Sequence, residues 1–281
     1  MLEVMWKYDF LQYAFFVGIV IGFLAPVLGV FIVVRRQAMI ADALSHITLT
    51  GIAFHLYLAQ SATFLQTVHP LYMGMGFAVA GSIIMERLRN VYSAYKELAV
   101  PIILSIGIGL GVVFLSLADG FNNDLFQYLF GSIIAVSQGD VWLISVVALV
   151  VVLLLFFFYK ELFFMSFDEE QAKISSIPVR SVNLLFSVMA ALVIASSMRI
   201  LGILLVSSLS ILPVAAAMQV AKSFKQTFLY AVLFGEISVI AGLITAFYLD
   251  VAPGGMIAIF ALILLLLVLS GKKYDKIRRL R

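Results

Sequence analysis

The chain has 281 residues, of which 64% are hydrophobic and only 12% charged, with a formal net charge of +3. Soluble domains carry roughly 25% charged residues, so this composition excludes an ordinary water-soluble globule and points to a polytopic membrane protein. Cysteine is absent, which removes disulfides, thiolate metal ligands and thiol catalysis together.

Nine apolar runs are each expected to form a membrane helix: residues 11–34, 39–58, 70–85, 100–118, 141–159, 182–197, 200–221, 227–249 and 254–270. The runs 70–85 and 182–197 are short for a hydrocarbon core of roughly 30 Å, so the expected fold is an all-α transmembrane bundle of eight or nine spans. A further piece, 126–135, is too brief to cross and reads as a re-entrant or interfacial turn. The first run is too long for a signal-peptide core and has no basic stretch before it, so it is expected to be retained as a span. Gly22, Pro26 and Gly29 in that run, and Pro213 in the seventh, mark places where a helix is expected to break or bend.

With the N-terminus placed outside, sixteen of the eighteen Lys and Arg residues fall on one side, leaving only Lys7 and Arg199 opposite. Such a bias marks the cytoplasmic loops. The opposite loops agree: 60–69 carries no Lys, Arg, Asp or Glu, and 119–124 carries only acids and amides among its polar residues. The basic tail, 271–281, reads as a topology signal and lipid anchor on the cytoplasmic face.

The second run holds the densest chemistry. Asp42, His46 and Thr50 recur at i, i+4 and i+8 and form one stripe, with Ser45 beside it. Along a helix the acid and the imidazole stand about 6 Å apart. Ionisable groups inside a bilayer cost on the order of 2.5–3.5 kcal/mol each on insertion scales, so they are rare without a function. One oxygen and one nitrogen donor suit a divalent transition metal, although a buried hydrogen bond locking two helices accounts for the same residues. Two donors fall short of the four of a structural zinc site. A conducting site must in any case release what it binds. His55 points away from His46 and reads as a packing or interfacial residue, and His69 lies in an outer loop. Glu236, in the eighth run, is a candidate path-lining carboxylate or a helix-packing group. Ser207, Ser208 and Ser210, near Gly202 and Ala215 to Ala217, are expected to help helices pack closely.

Between the fifth and sixth runs, Ser166 followed three residues later by Glu169 reads as a capping box, with Asp168, Glu169 and Glu170 crowding a first helical turn and Pro178 marking the end. This predicts a short cytoplasmic helix within about 160–180, either an ordinary structured loop or a docking element for a soluble partner.

Several stretches resemble one family, the permease subunits of bacterial zinc and manganese ABC importers (the ABC-3 family). Arg35-Arg36-Gln37-Ala38-Met39-Ile40-Ala41-Asp42-Ala43-Leu44-Ser45-His46 is similar to the family's R-R-x-S-x-x-x-D-x-x-[SA]-H region. Phe167-Asp168-Glu169-Glu170, continuing to Pro178, resembles the coupling segment F-D-x-E-x-A-x-x-x-G-[IL]-P, with Ser176 standing where the family usually has glycine. The run from Leu201 through Pro213 to Ala217 resembles L-L-x-x-x-L-L-x-I-P-A-A-[TA], and 248–255 adds a weaker match.

The resemblance implies that 1–281 is a single permease domain in the bacterial cytoplasmic membrane, paired with a second copy. It implies a cytoplasmic ATPase dimer docked through Phe167, Asp168, Glu169, Glu170, Ala172 and Pro178, and an extracytoplasmic metal-binding protein on the outer face. It also implies that Asp42 and His46 coordinate the passing ion, with Ser45, Thr50 and Glu236 as further path-lining candidates. Zinc is slightly favoured as cargo and manganese nearly equals it, with iron third; the same donors accept either of the first two. No P-loop is present, so ATP is expected to bind the partner subunit and the chain to have neither cofactor nor enzymatic activity of its own. The rival reading is a proton- or ion-coupled secondary transporter using Asp42 and Glu236. An intramembrane metallohydrolase fits poorly, since H-E-x-x-H is missing and there are three histidines in all.

Overall fold

In a computed structural model the structure describes residues 8–61, 63–118, 123–203 and 205–278, without the side chains of 63, 123, 124 and 273–278. All regular elements among them are helical. They are α1 (Asp9–Val34), α2 (Ile40–Ser61), α3 (Pro70–Val91), α4 (Ala99–Leu117), α5 (Asn123–Phe130), α6 (Gln138–Phe157), α7 (Tyr159–Phe167), α8 (Glu169–Ile174), α9 (Val179–Leu201), α10 (Val206–Val220), α11 (Phe224–Leu249) and α12 (Pro253–Arg278). Short 3-10 turns, Thr63–Thr67 and Lys96–Leu98, precede α3 and α4.

Seven helices are long and apolar enough to cross a bilayer, counting the Lys96–Leu98 turn with α4. The two expected spans that looked short lengthen to 22 residues in α3 and 23 in α9, enough for roughly 33 Å at 1.5 Å per residue. α2 also has 22 residues, but its polar stripe lowers its hydropathy. The run expected at 200–221 is divided: α9 continues to Leu201, Gly202 takes a left-handed backbone (φ 72), and α10 has only 15 residues. α1 and α10 each run through their proline, so neither Pro26 nor Pro213 ends its helix. At Pro26 the neighbouring Gly235 of α11 leaves room for the ring. The apolar piece around 126–135 is α5 followed by a non-helical turn at Gly131 (φ 80).

The chain divides into two compact units. The first comprises Met1–Ala38, Phe130–Ser145 and Arg199–Arg281, and the second Met39–Leu129 and Val146–Met198. In the first, α1, α10, α11 and α12 pack on one another around Val30, Val214, Ala217 and Ala231. Phe31 sits edge-on to Phe224 and Phe228, with ring centroids 5.9 and 5.3 Å away. Gly29 lies against the Ser210 carbonyl, a close approach that only a residue without Cβ allows. Here Arg199 pairs with Asp140, whose carboxylate also accepts from the Ser137 amide at 2.8 Å and hydroxyl at 2.7 Å. One of the two basic residues assigned to the outer side is thus charge-paired.

In the second unit α2 is held between α3 and α4. A methyl group at Gly51 would lie 2.7 Å from the Met73 carbonyl oxygen, so α2 and α3 touch almost backbone to backbone. His69 caps α3, its Nδ1 accepting from the Leu71 amide at 3.2 Å. His55 is buried against the backbone at Leu65 and Val68.

Candidate functional site

α2 begins at Ile40, so Asp42 falls in its first turn, where a carboxylate favours the positive end of the helix dipole. The Asp42 charge acts on the His46 imidazole one turn further on, and both side chains are half-buried rather than sealed in the core. Two donors therefore stand on one face with access to the outside of their own unit. Among the described residues no group of three or more His, Asp or Glu side chains gathers where it could hold a metal. Within one chain the pair is a partial ligand set.

The hydroxyls near it are engaged elsewhere. Ser45 is buried and donates to the Ala41 carbonyl at 2.8 Å. Thr50, fully buried, donates to the Gly107 carbonyl on α4 at 2.7 Å and lies 3.0 Å from the His46 carbonyl. Thr50 thereby joins α2 to α4. At Gly107 an added methyl would lie 3.0 Å from the Ile47 amide nitrogen and 3.2 Å from both the carbonyl carbon and Cβ of His46. α4 passes directly beside the root of the imidazole. Glu236 belongs to the other unit, on α11, half-buried with its carboxylate over Gly22 of α1.

The short helical element expected within 160–180 forms as α7 and α8, with one correction. Ser166 is not the N-cap: it lies within α7 and donates to the Leu162 carbonyl at 2.6 Å. Asp168 leaves the helical region (φ −151, ψ 100) and caps α8, accepting from the Glu170 and Gln171 amides at 3.0 and 2.9 Å. The capping box fails because α7 runs on through Phe167, which keeps Ser166 helical. Glu169 instead pairs with Lys96 at 2.8 Å and Lys173 at 3.5 Å. α8 then stops at Ile174, four residues before Pro178. Its stop is a left-handed Ser176 (φ 61), with Ile177 donating to the Ala172 carbonyl at 3.1 Å and Ser176 to Lys173 at 3.3 Å. Left-handed backbone at this position favours glycine, which accounts for the residue type expected there. Ala172 is fully buried while Phe167 and Ile174 are 64% and 84% exposed, so the α7–α8 corner presents apolar side chains outward. Glu170 and Pro178 are exposed as well.

Two groups beside α8 escape a reading of the sequence. Glu86 and Arg89 on α3, 6% and 9% exposed, form a buried ion pair at 3.3 Å. Their spacing of three at the end of a largely apolar helix was a visible signal. Lys96 was not legible, since its partner Glu169 lies 73 residues on. Together with Lys173 and Asn183 these residues line a cavity of about 150 Å³.

Comparison with known proteins adds the following. The family model described as the ABC 3 transport family matches residues 7–272. A "Probable metal transport system membrane protein" of Treponema pallidum is 34% identical over 98% of this chain and 100% of its own length. "Manganese transport system membrane protein MntC" of Listeria innocua is 30% identical, covering 94% of this chain and 91% of that one. "High-affinity zinc uptake system membrane protein ZnuB" of Haemophilus influenzae is 29% identical, covering 95% and 99%. The solved structure "PsaBC from Streptococcus pneumoniae in complex with Fab" superposes with a TM-score of 0.83 at 29% identity, covering 99% of this chain and 98% of that one.

Proposed function

Because the chain belongs to the ABC 3 transport family, we propose that it is the permease subunit of an importer that carries zinc or manganese across the bacterial cytoplasmic membrane. The observation that carries this reading is the match over residues 7–272, joined by relatives of nearly equal length named for manganese and for zinc transport. In this reading ATP is bound by a separate cytoplasmic subunit, an extracytoplasmic protein supplies the ion, and two copies of the permease work together with their basic tails cytoplasmic.

Asp42 and His46 hold the ion in transit. Their half-buried stripe on α2 supports that role, as does a donor pair too small to trap its cargo. A second copy bringing the same pair would complete a four-donor set. Glu236 lines the path in the other unit. Ser45 and Thr50 shape the helix that carries the ligands, because their hydroxyls already donate to carbonyl oxygens. The ATPase docks on the α7–α8 corner, where Phe167 and Ile174 stand outward on an element anchored by Ala172 and capped by Asp168. Pro178 and Glu170 lie on the same exposed border.

The test is uptake of zinc, manganese and iron, each offered alone, by cells lacking their own importers and supplied with this chain, its ATPase and its binding protein. Import of zinc or manganese that requires all three components is the expected result. Uptake by the purified chain in vesicles under a pH gradient, without ATPase, would overturn the reading in favour of a secondary transporter.

A further inference from the structure

We propose that the Lys96–Glu169 ion pair is the link through which α8 drives α4, and through α4 the metal-binding turn of α2; Lys96 is then a positioning residue for transport. The proposal deepens the transport reading above and rests on it.

α8 is a small lever. It has six residues and a single buried side chain, Ala172. Glu169, in its first turn, ties it to a distant segment, bonded to Lys96 at 2.8 Å. Lys96 opens the 3-10 turn Lys96–Leu98, which runs straight into α4 through a helical Ala99 (φ −60, ψ −39). Lys96 and α4 therefore form one continuous rod. Gly107, eleven residues along, lies roughly 17 Å from the pair at helical rise. There the rod meets α2 backbone to backbone. Gly107 abuts His46 and Ile47, Thr50 donates to the Gly107 carbonyl at 2.7 Å, and Gly111 continues the contact at Thr50.

Close-packed backbones of this kind transmit displacement from one helix to the next. A displacement of α8 that pulls Lys96 would slide α4 and carry the His46 turn with it. The cavity lined by Glu86, Arg89, Lys96, Glu169, Lys173 and Asn183 leaves α8 polar-walled space to shift into. The pair is partly exposed (40% for the Lys96 side chain, 28% for Glu169), so its contribution to stability is small. Its value is directional: it fixes which element α8 moves.

The test uses the complete complex of permease, ATPase and binding protein in proteoliposomes, reading radiolabelled zinc or manganese imported per ATP hydrolysed. Lys96→Glu is expected to lower that ratio at least about fivefold, in the range of ordinary coupling energies. ATPase copurification should stay intact. Lys96→Arg keeps the positive charge opposite Glu169 and is expected to hold the ratio within about twofold of the unsubstituted complex. An unchanged ratio in Lys96→Glu, or a ratio in Lys96→Arg as low as that of Lys96→Glu, overturns the proposal. Loss of ATPase copurification in Lys96→Glu also counts against it, since the pair would then serve docking. Should Lys96→Glu not accumulate, Lys96→Gln is read in the same way. If the unsubstituted complex imports neither ion, it is the transport reading that fails, and the pair's role as a link is judged by whether Lys96→Glu alters metal-stimulated ATP hydrolysis.

Discussion

Asp42 and His46 are chemically sufficient for a transient grip and insufficient for a permanent one. A carboxylate supplies charge, an imidazole supplies a nitrogen that ligates only when neutral, and neither is walled in. Loss of a group that merely supports a metal ligand commonly costs 10–100-fold in affinity or activity, so loss of a ligand itself should cost about as much or more. Asp42→Ala and His46→Ala are therefore expected to lower uptake at least about tenfold, with ATPase copurification unchanged; normal uptake in both would make the stripe structural. Uptake should also decline as the outer medium is acidified, because protonation of His46 removes its lone pair. His46→Asp, with an oxygen donor in its place, should flatten that decline. Thr50 makes a different prediction. Its hydroxyl joins α2 to α4, so Thr50→Val should destabilise the fold by about 1 kcal/mol through a lost hydrogen bond to Gly107, measured as a lower Tm in detergent.

The helices owe their ends to local rules and their partners to close approach. α8 shows both. Asp168 caps its start, and replacing it with Ala should weaken the helix by about 0.5–2 kcal/mol, read as reduced ATPase copurification. Ser176 ends it in a left-handed conformation (φ 61) that costs a side chain roughly 1–2 kcal/mol. Ser176→Gly should therefore raise the Tm and leave ATPase binding intact, whereas the β-branched Ser176→Val should lower both. At the far end of the rod, Gly107→Ala forces α4 away from His46 by a few tenths of an ångström. Overpacking of this sort costs roughly 1–3 kcal/mol. It should alter the ion concentration for half-maximal uptake more than it alters ATPase assembly, since the strain falls beside the ligand.

Taken as one permease, the chain divides its candidate residues between two compact units. Asp42, His46 and the α7–α8 corner belong to one, and Glu236 to the other. In the proposed reading, metal contact and ATPase docking share a unit whose internal connections include α2, α4 and the Lys96–Glu169 pair. That arrangement predicts an asymmetry in mutant phenotypes. Glu236→Gln should change uptake without changing the coupling ratio, while Lys96→Glu should change the ratio while leaving assembly alone. Parallel measurements of uptake and ATP hydrolysis separate the two.

Periodicity and composition made the helices, the Asp42–His46 stripe and the short element at 160–180 readable, because each depends on neighbours within a few residues along the chain. Local reasoning failed where two local signals competed. Ser166 carries a capping pattern, yet α7 continues through it and Asp168 takes the cap. Pro26 and Pro213 lie within α1 and α10 without ending them. What no spacing could announce was contact between distant segments. Thr50 meets Gly107 across 57 positions and Lys96 meets Glu169 across 73. Such pairings arise when helices already formed dock along their small-residue faces, and their register depends on the whole bundle's packing rather than on any one segment.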